Sequence, residues 1–129
     1  MRAIDTNVIV RLLTADDAKQ AKAARAAIEA GEIFIGSTVV LETERVLRAG
    51  YGFAPAEIGK GLRSLFGLPA ITLEEPVEVG LALDWMSAGM DFADALHVAR
   101  AGHCSAFLSF DRNLFERSKG LTPVPVEVP

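Results

Sequence analysis

Hydrophobic residues along the chain follow two alternating patterns. Short apolar runs, typical of buried strands, occur at residues 1–4, 33–35, 70–73 and 105–110. Between them, apolar residues recur every three or four positions, which predicts helices. These helices cover residues 8–13, 18–30, 38–49, 56–66, 76–88 and 91–101, with a short turn or helix at 112–117. Proline-rich residues 123–128 predict an edge strand or tail. The alternation predicts an α/β fold with a parallel sheet and helices on both faces.

The stretch that contains the last long helix concentrates the acidic side chains. Asp91 and Asp94 lie at the start of the helix predicted at residues 91–101. The run at residues 105–110 then predicts a short buried strand, and Asp111 stands where it ends. Three carboxylates beside apolar sequence indicate that a positive charge belongs there.

Carboxylates distant in sequence are predicted to meet at one edge of the sheet. Asp5 and Asp111 follow strands, and Asp91 and Asp94 begin a helix that belongs on the same edge. Such carboxylates repel one another unless a cation is bound. Magnesium or manganese is favoured because both take oxygen ligands, whereas two histidines and one cysteine offer little to zinc. These ions activate water for attack at phosphorus, which suggests phosphodiester hydrolysis.

The same aspartates also have structural interpretations. Asp5 with Asn7 is typical of a strand-to-helix capping turn, Asp91 of a helix N-cap, and Asp111 of a turn. The coincidence of several carboxylates on one predicted edge favours the metal site.

Two glutamates compete for a place in that site. Glu44 lies four residues before Arg48, which is the favourable spacing for a surface ion pair. Glu42 has Val46 at the same spacing and therefore lacks that structural role. The pattern favours Glu42 as the site carboxylate.

The remaining polar residues carry weaker signals. His97 follows Asp94 by one helical turn and is interpreted as structural or solvent-facing. His103 and Cys104 lack partners at metal-ligand spacing and are interpreted as structural. Three hydroxyl residues fit either capping roles or hydrogen bonds to a carboxylate or phosphate: Ser37, Thr38 and Ser109.

Composition narrows the class of protein. The 129 residues predict one domain, and a net charge of −4 without a basic run means that any nucleic acid must be held locally or through metal. A single cysteine excludes an internal disulfide. No apolar run approaches the roughly 20 residues that span a bilayer, and the N-terminus shows no signal-peptide pattern. We expect a cytoplasmic protein.

Four short segments in order resemble the motifs of PIN domains and, more narrowly, of VapC-type toxins of bacterial toxin–antitoxin pairs. They are IDTN at residues 4–7, TVVLE at 38–42, DFADALH at 91–97 and SFDR at 109–112. The resemblance covers essentially the whole chain. It implies a three-layer α/β/α fold around a mainly parallel sheet and a Mg²⁺- or Mn²⁺-dependent endoribonuclease. The residues that match the family's acidic quartet are Asp5, Glu42, Asp94 and Asp111.

The resemblance also implies further ligands and partners. Asp91 matches an auxiliary acidic position, and Asn7 and Ser109 match polar positions beside the metal. Family members usually form homodimers, are silenced by a VapB-like antitoxin, and cleave RNA, often transfer or ribosomal RNA. Four arginines are candidates for phosphate contacts: Arg11, Arg45, Arg48 and Arg112.

Three alternatives belong to other functional classes. A response-regulator receiver domain has an acidic pair after its first strand and a late lysine, whereas Asp5 is followed by Thr6 and Asn7 here. A haloacid-dehalogenase-like phosphatase needs a second aspartate in that first motif. A PIN-fold binding module without turnover is disfavoured by the intact quartet.

Overall fold

Seven α-helices and five short strands form the backbone of the computed structural model, which describes residues 1–129. Contacts divide the chain into two compact units, Met1–Glu74 and Glu75–Pro129. None of the helices is long and apolar enough to cross a membrane.

The first unit is built on a three-stranded parallel sheet. Its strands, in spatial order β1-β2-β3, are Arg2–Ala3, Ile33–Ile35 and Ile71–Leu73. The central strand, β2, buries Ile33 and Ile35, as expected for β-branched residues in a parallel sheet. The helices of this unit are α1 (Thr6–Thr14), α2 (Ala18–Glu29), α3 (Ser37–Arg45) and α4 (Pro55–Phe66), and a π-helical segment, Val46–Gly50, follows α3.

Local sequence explains how α1 and α2 are joined. The Asp17 side chain accepts a hydrogen bond from the Gln20 amide at 3.0 Å and so begins α2. Ala15 ends α1 in the left-handed conformation, with φ of 52°. This sharp turn lets α2 pack against α1, and α1 also packs against α3.

The second unit combines three helices with a two-stranded parallel sheet. Its elements are α5 (Pro76–Ser87), α6 (Phe92–Arg100), β4 (Phe107–Leu108), α7 (Arg112–Ser118) and β5 (Val126–Glu127). The main packing is between α5 and α6, and α7 packs on β5. Phe92 and Leu96 of α6 are buried, as the predicted apolar stripe requires.

The predicted α/β class with parallel strands is confirmed, and each predicted helix is present. The prediction of a buried strand over residues 105–110 was wrong. Only Phe107–Leu108 is a strand, and the side chains of Leu108 and Phe110 are 62% and 78% exposed. Side chains two residues apart in an extended chain point to the same side. Leu108 and Phe110 share such a side, and no other element packs on it.

Candidate metal centre

Three of the candidate aspartates cap helices. Asp5 precedes α1, and its Oδ1 accepts a hydrogen bond from the Thr6 amide at 2.7 Å. Asp91 precedes α6, and its Oδ2 accepts one from the Asp94 amide at 3.1 Å. Asp111 precedes α7, and its Oδ1 accepts hydrogen bonds from the backbone amides of Asn113 and Leu114 at 2.9 and 3.2 Å. The capping interpretation is confirmed for Asp5 and Asp91, whereas Asp111, interpreted from the sequence as a turn residue, also caps a helix. Each cap uses only one of the two carboxylate oxygens.

Asp94 differs from these caps. It lies half-buried in the first turn of α6, and its carboxylate accepts no hydrogen bond from the protein. Burial raises the pKa of Asp94 above its ordinary value, and the negative charges of Asp91 and Asp111 raise it further, while His97 lowers it. The fold thus brings Asp91 and Asp111 close enough to Asp94 to disfavour its negative charge.

The donor chemistry of this acidic group fits a divalent cation. Carboxylate oxygens, the ligands that Mg²⁺ and Mn²⁺ prefer, are supplied by Asp91, Asp94 and Asp111. No protein group donates a hydrogen bond to the Asp94 carboxylate, so both of its oxygens can bind a cation. The structure contains no preformed group of three or more His, Cys, Asp or Glu side chains that could hold a metal ion. Mg²⁺ does not require one, because it binds through one or two carboxylates and keeps several waters or phosphate oxygens.

The first unit contains the other predicted ligands, Asp5 and Glu42. Glu42 lies on α3 with an exposed side chain, so its carboxylate is accessible to a ligand. Glu44, which sequence reasoning set aside as half of a surface ion pair, does pair with Arg48, whose Nε lies 2.9 Å from Glu44 Oε2. The surface location was wrong, because the Glu44 side chain is only 3% exposed against 46% for Arg48. Glu44 therefore has a structural role, because it joins α3 to the π-helical segment that contains Arg48.

Sequence reasoning missed Thr6 as a polar group of interest. Its Oγ1 is buried and has no hydrogen-bond partner, although the residue directly follows Asp5. A buried hydroxyl without a partner costs about 1–3 kcal/mol, so a water or ligand oxygen is expected to satisfy it. The only signal in the sequence is the position of Thr6 between Asp5 and Asn7.

The predicted auxiliary residues have distinct settings. The Ser109 Oγ accepts a hydrogen bond from the Asp111 amide at 3.0 Å, so Ser109 shapes the turn that carries the carboxylate. Asn7 is exposed and lines, with Val8 and Arg11, a hollow of about 320 Å³ beside α2.

Two of the four candidate phosphate-binding arginines are engaged by carboxylates. Arg11 Nη1 lies 3.0 Å from Asp16 Oδ1 and also donates to the Tyr51 hydroxyl at 3.0 Å. Arg48 holds Glu44. Arg45 and Arg112 are exposed.

Comparison with known families identifies the chain. The PIN domain family matches residues 3–120, which is most of its length and includes parts of both units. The chain belongs to the PIN domain family. PIN domains are typically Mg²⁺-dependent nucleases. The α/β architecture with parallel strands is consistent with the predicted three-layer α/β/α PIN fold. A search of curated proteins found no significant match.

Proposed function

We propose that this PIN domain is a Mg²⁺- or Mn²⁺-dependent endoribonuclease that hydrolyses RNA phosphodiester bonds. The observation that carries the proposal is Asp94, a half-buried carboxylate without a hydrogen-bond donor beside Asp91 and Asp111, in a chain that matches the PIN family. Asp5, Glu42, Asp94 and Asp111 are the proposed metal ligands, with Asp91 as an auxiliary ligand.

The capping hydrogen bonds support specific roles for these residues, because they orient the carboxylates. Asp91 and Asp111 are held by amides of α6 and α7, so their second oxygens keep a defined direction. The Asp5 carboxylate is held in the same way at the start of α1. A divalent cation, when bound, lowers the pKa of water and stabilises charge at a phosphoryl group. Ser109 orients Asp111, and Asn7 offers a further polar side chain.

The biological setting is part of the proposal. The order of the four motifs supports a VapC-type toxin that acts in the cytoplasm, forms a homodimer and is silenced by a VapB-like antitoxin. Transfer or ribosomal RNA is the proposed substrate. Inspection of the neighbouring reading frames tests the toxin assignment, because a small antitoxin gene is expected there.

The decisive experiment is cleavage of total cellular RNA by the purified protein in magnesium, manganese or chelator. Wild type is compared with Asp5→Asn and with Asp17→Asn as a matched control. Asn caps helices as well as Asp does, so both variants should fold, and only Asp5→Asn removes a proposed ligand. We expect metal-dependent cleavage that falls about 10- to 100-fold or more in Asp5→Asn and is retained in Asp17→Asn.

Two results would contradict the proposal. Equal cleavage by wild type and Asp5→Asn indicates a contaminating nuclease and removes Asp5 from the site. If no preparation freed of antitoxin cleaves RNA, the PIN fold serves here as a binding module.

A further inference from the structure

A second hollow lies in the Glu75–Pro129 unit, between the end of α6 and β4. Its volume is about 450 Å³. It is lined by His97, Arg100, Ala101, His103, Cys104 and Phe107. Both histidines and the only cysteine of the chain therefore share one hollow, although sequence reasoning interpreted them as separate structural residues.

The lining favours an anion over a metal cation. It combines a guanidinium with two imidazoles, and no carboxylate is among its residues. The Arg100 side chain is 52% exposed, and its Nε lies 3.0 Å from Glu75 Oε2, which tethers the guanidinium at the rim. Glu75 engages only the Nε of Arg100, so the two Nη groups remain available to donate hydrogen bonds to a phosphate.

The hollow lies farther along α6 than the acidic group. His97 and Arg100 follow Asp94 at steps of three residues, so they lie roughly 4.5 and 9 Å farther along the helix axis. The influence of His97 on Asp94 is consistent with this proximity. If the cleaved bond of a single-stranded RNA lies at Asp94, a neighbouring nucleotide of the same strand would reach the hollow.

Phe107 gives the hollow an aromatic side chain beside Arg100 and the two histidines. Aromatic rings together with Arg or imidazole donors are the usual means of holding unpaired nucleotides, by stacking on the base and hydrogen bonds to phosphate. The volume also lies within the range of small-ligand sites, roughly 300–1,000 Å³.

We propose that this hollow binds one unpaired nucleotide of the RNA substrate next to the cleaved bond. Arg100 and His103 hold its phosphate, His97 lies on the side towards Asp94, and Phe107 contacts the base. The inference rests on the proposed ribonuclease function and adds the requirement that the substrate be single-stranded at this position.

The test measures binding of a short, fluorescein-labelled single-stranded RNA by fluorescence anisotropy. An Asp94→Asn background in magnesium prevents cleavage, and Arg100→Gln and His103→Gln are added separately. Arg25→Gln is the matched control, since Arg25 is an exposed arginine of α2 and its loss changes the net charge equally. Circular dichroism verifies that each variant is folded.

We expect Arg100→Gln to weaken binding about tenfold and to reduce the salt dependence of log K by about 0.7. His103→Gln should also weaken binding, Arg25→Gln should not, and fully duplex RNA should bind less well than the single strand.

Three results would overturn the inference. The hollow is not an RNA site if Arg100→Gln and His103→Gln bind RNA like Arg25→Gln while wild type still cleaves RNA. In that case the proposed ribonuclease function is retained and the nucleotide site is rejected. If wild type neither binds nor cleaves RNA, both proposals fall. Stoichiometric zinc binding that is lost in His103→Gln and Cys104→Ser would make the hollow a metal site instead.

Discussion

At the scale of single residues, neighbouring glutamates on α3 have opposite environments. Glu42 is exposed, and Glu44 is buried with its carboxylate on Arg48. The spacing in the sequence predicted the ion pair between Glu44 and Arg48 correctly but placed Glu44 at the surface. A carboxylate already paired with a guanidinium is poorly suited to bind metal, and Glu42 remains the predicted ligand.

Exchanging each glutamate for glutamine should separate activity from stability. Glu42→Gln should abolish metal-dependent RNA cleavage and change the free energy of unfolding by no more than about 0.5 kcal/mol. Glu44→Gln should lower that free energy by about 1–3 kcal/mol, since it loses a charge-assisted hydrogen bond. Urea denaturation and RNA cleavage measure the two effects. A folded, inactive Glu44→Gln beside an active Glu42→Gln would reverse the assignment.

At the scale of elements, a polar cluster joins α1, the turn before α2 and the residue after the π-helical segment. The Tyr51 hydroxyl donates to Asp16 Oδ2 at 2.5 Å, Thr14 donates to Oδ1 at 3.0 Å, and Arg11 pairs with the same carboxylate. These contacts, the Tyr51 hydrogen bond first, hold the pKa of Asp16 below its ordinary value.

This lowered pKa predicts a pH-dependent contribution to stability. Because the folded pKa of Asp16 is below the unfolded value of about 3.9, the contribution is complete above that value and is lost as pH falls through the folded pKa. Asp16→Asn should therefore destabilise the protein at neutral pH, and the difference from wild type should shrink in acid. Urea titrations across pH measure it.

Tyr51→Phe provides the control for this linkage. It removes the largest cause of the shift, so Asp16→Asn should destabilise the Tyr51→Phe protein less than wild type. An effect of Asp16→Asn that stays constant across pH would exclude the linkage.

At the scale of the whole molecule, the acidic group connects metal binding to folding. Asp94 has a raised pKa, so its ionised form is disfavoured in the folded protein and opposes folding at neutral pH. A cation that binds the folded state stabilises it by mass action.

Thermal unfolding should therefore depend on Mg²⁺ and on Asp94. At about ten times its dissociation constant, Mg²⁺ should raise the Tm of wild type by about 4 °C. Asp94→Asn should unfold at a higher temperature than wild type in chelator, because it removes the repulsion, and should respond less to Mg²⁺. Equal responses of both proteins to Mg²⁺ would remove Asp94 from the metal site.

The sequence by itself determined the features that depend on near neighbours. Helix starts at Asp5 and Asp91 could be predicted because a capping side chain accepts hydrogen bonds from backbone amides within the next three residues. Apolar periodicity likewise predicted the helices and the α/β class, and the motif order indicated the family that the comparison then showed.

Tertiary structure decided the features that depend on residues distant in the chain. It buried Glu44, left Phe110 exposed, brought Asp111 close enough to raise the pKa of Asp94, and gathered His97 with His103 and Cys104 around one hollow. Burial and electrostatic coupling depend on which elements pack together. Local periodicity does not show which elements pack together. Each of these residues therefore had more than one possible interpretation until its tertiary environment was known.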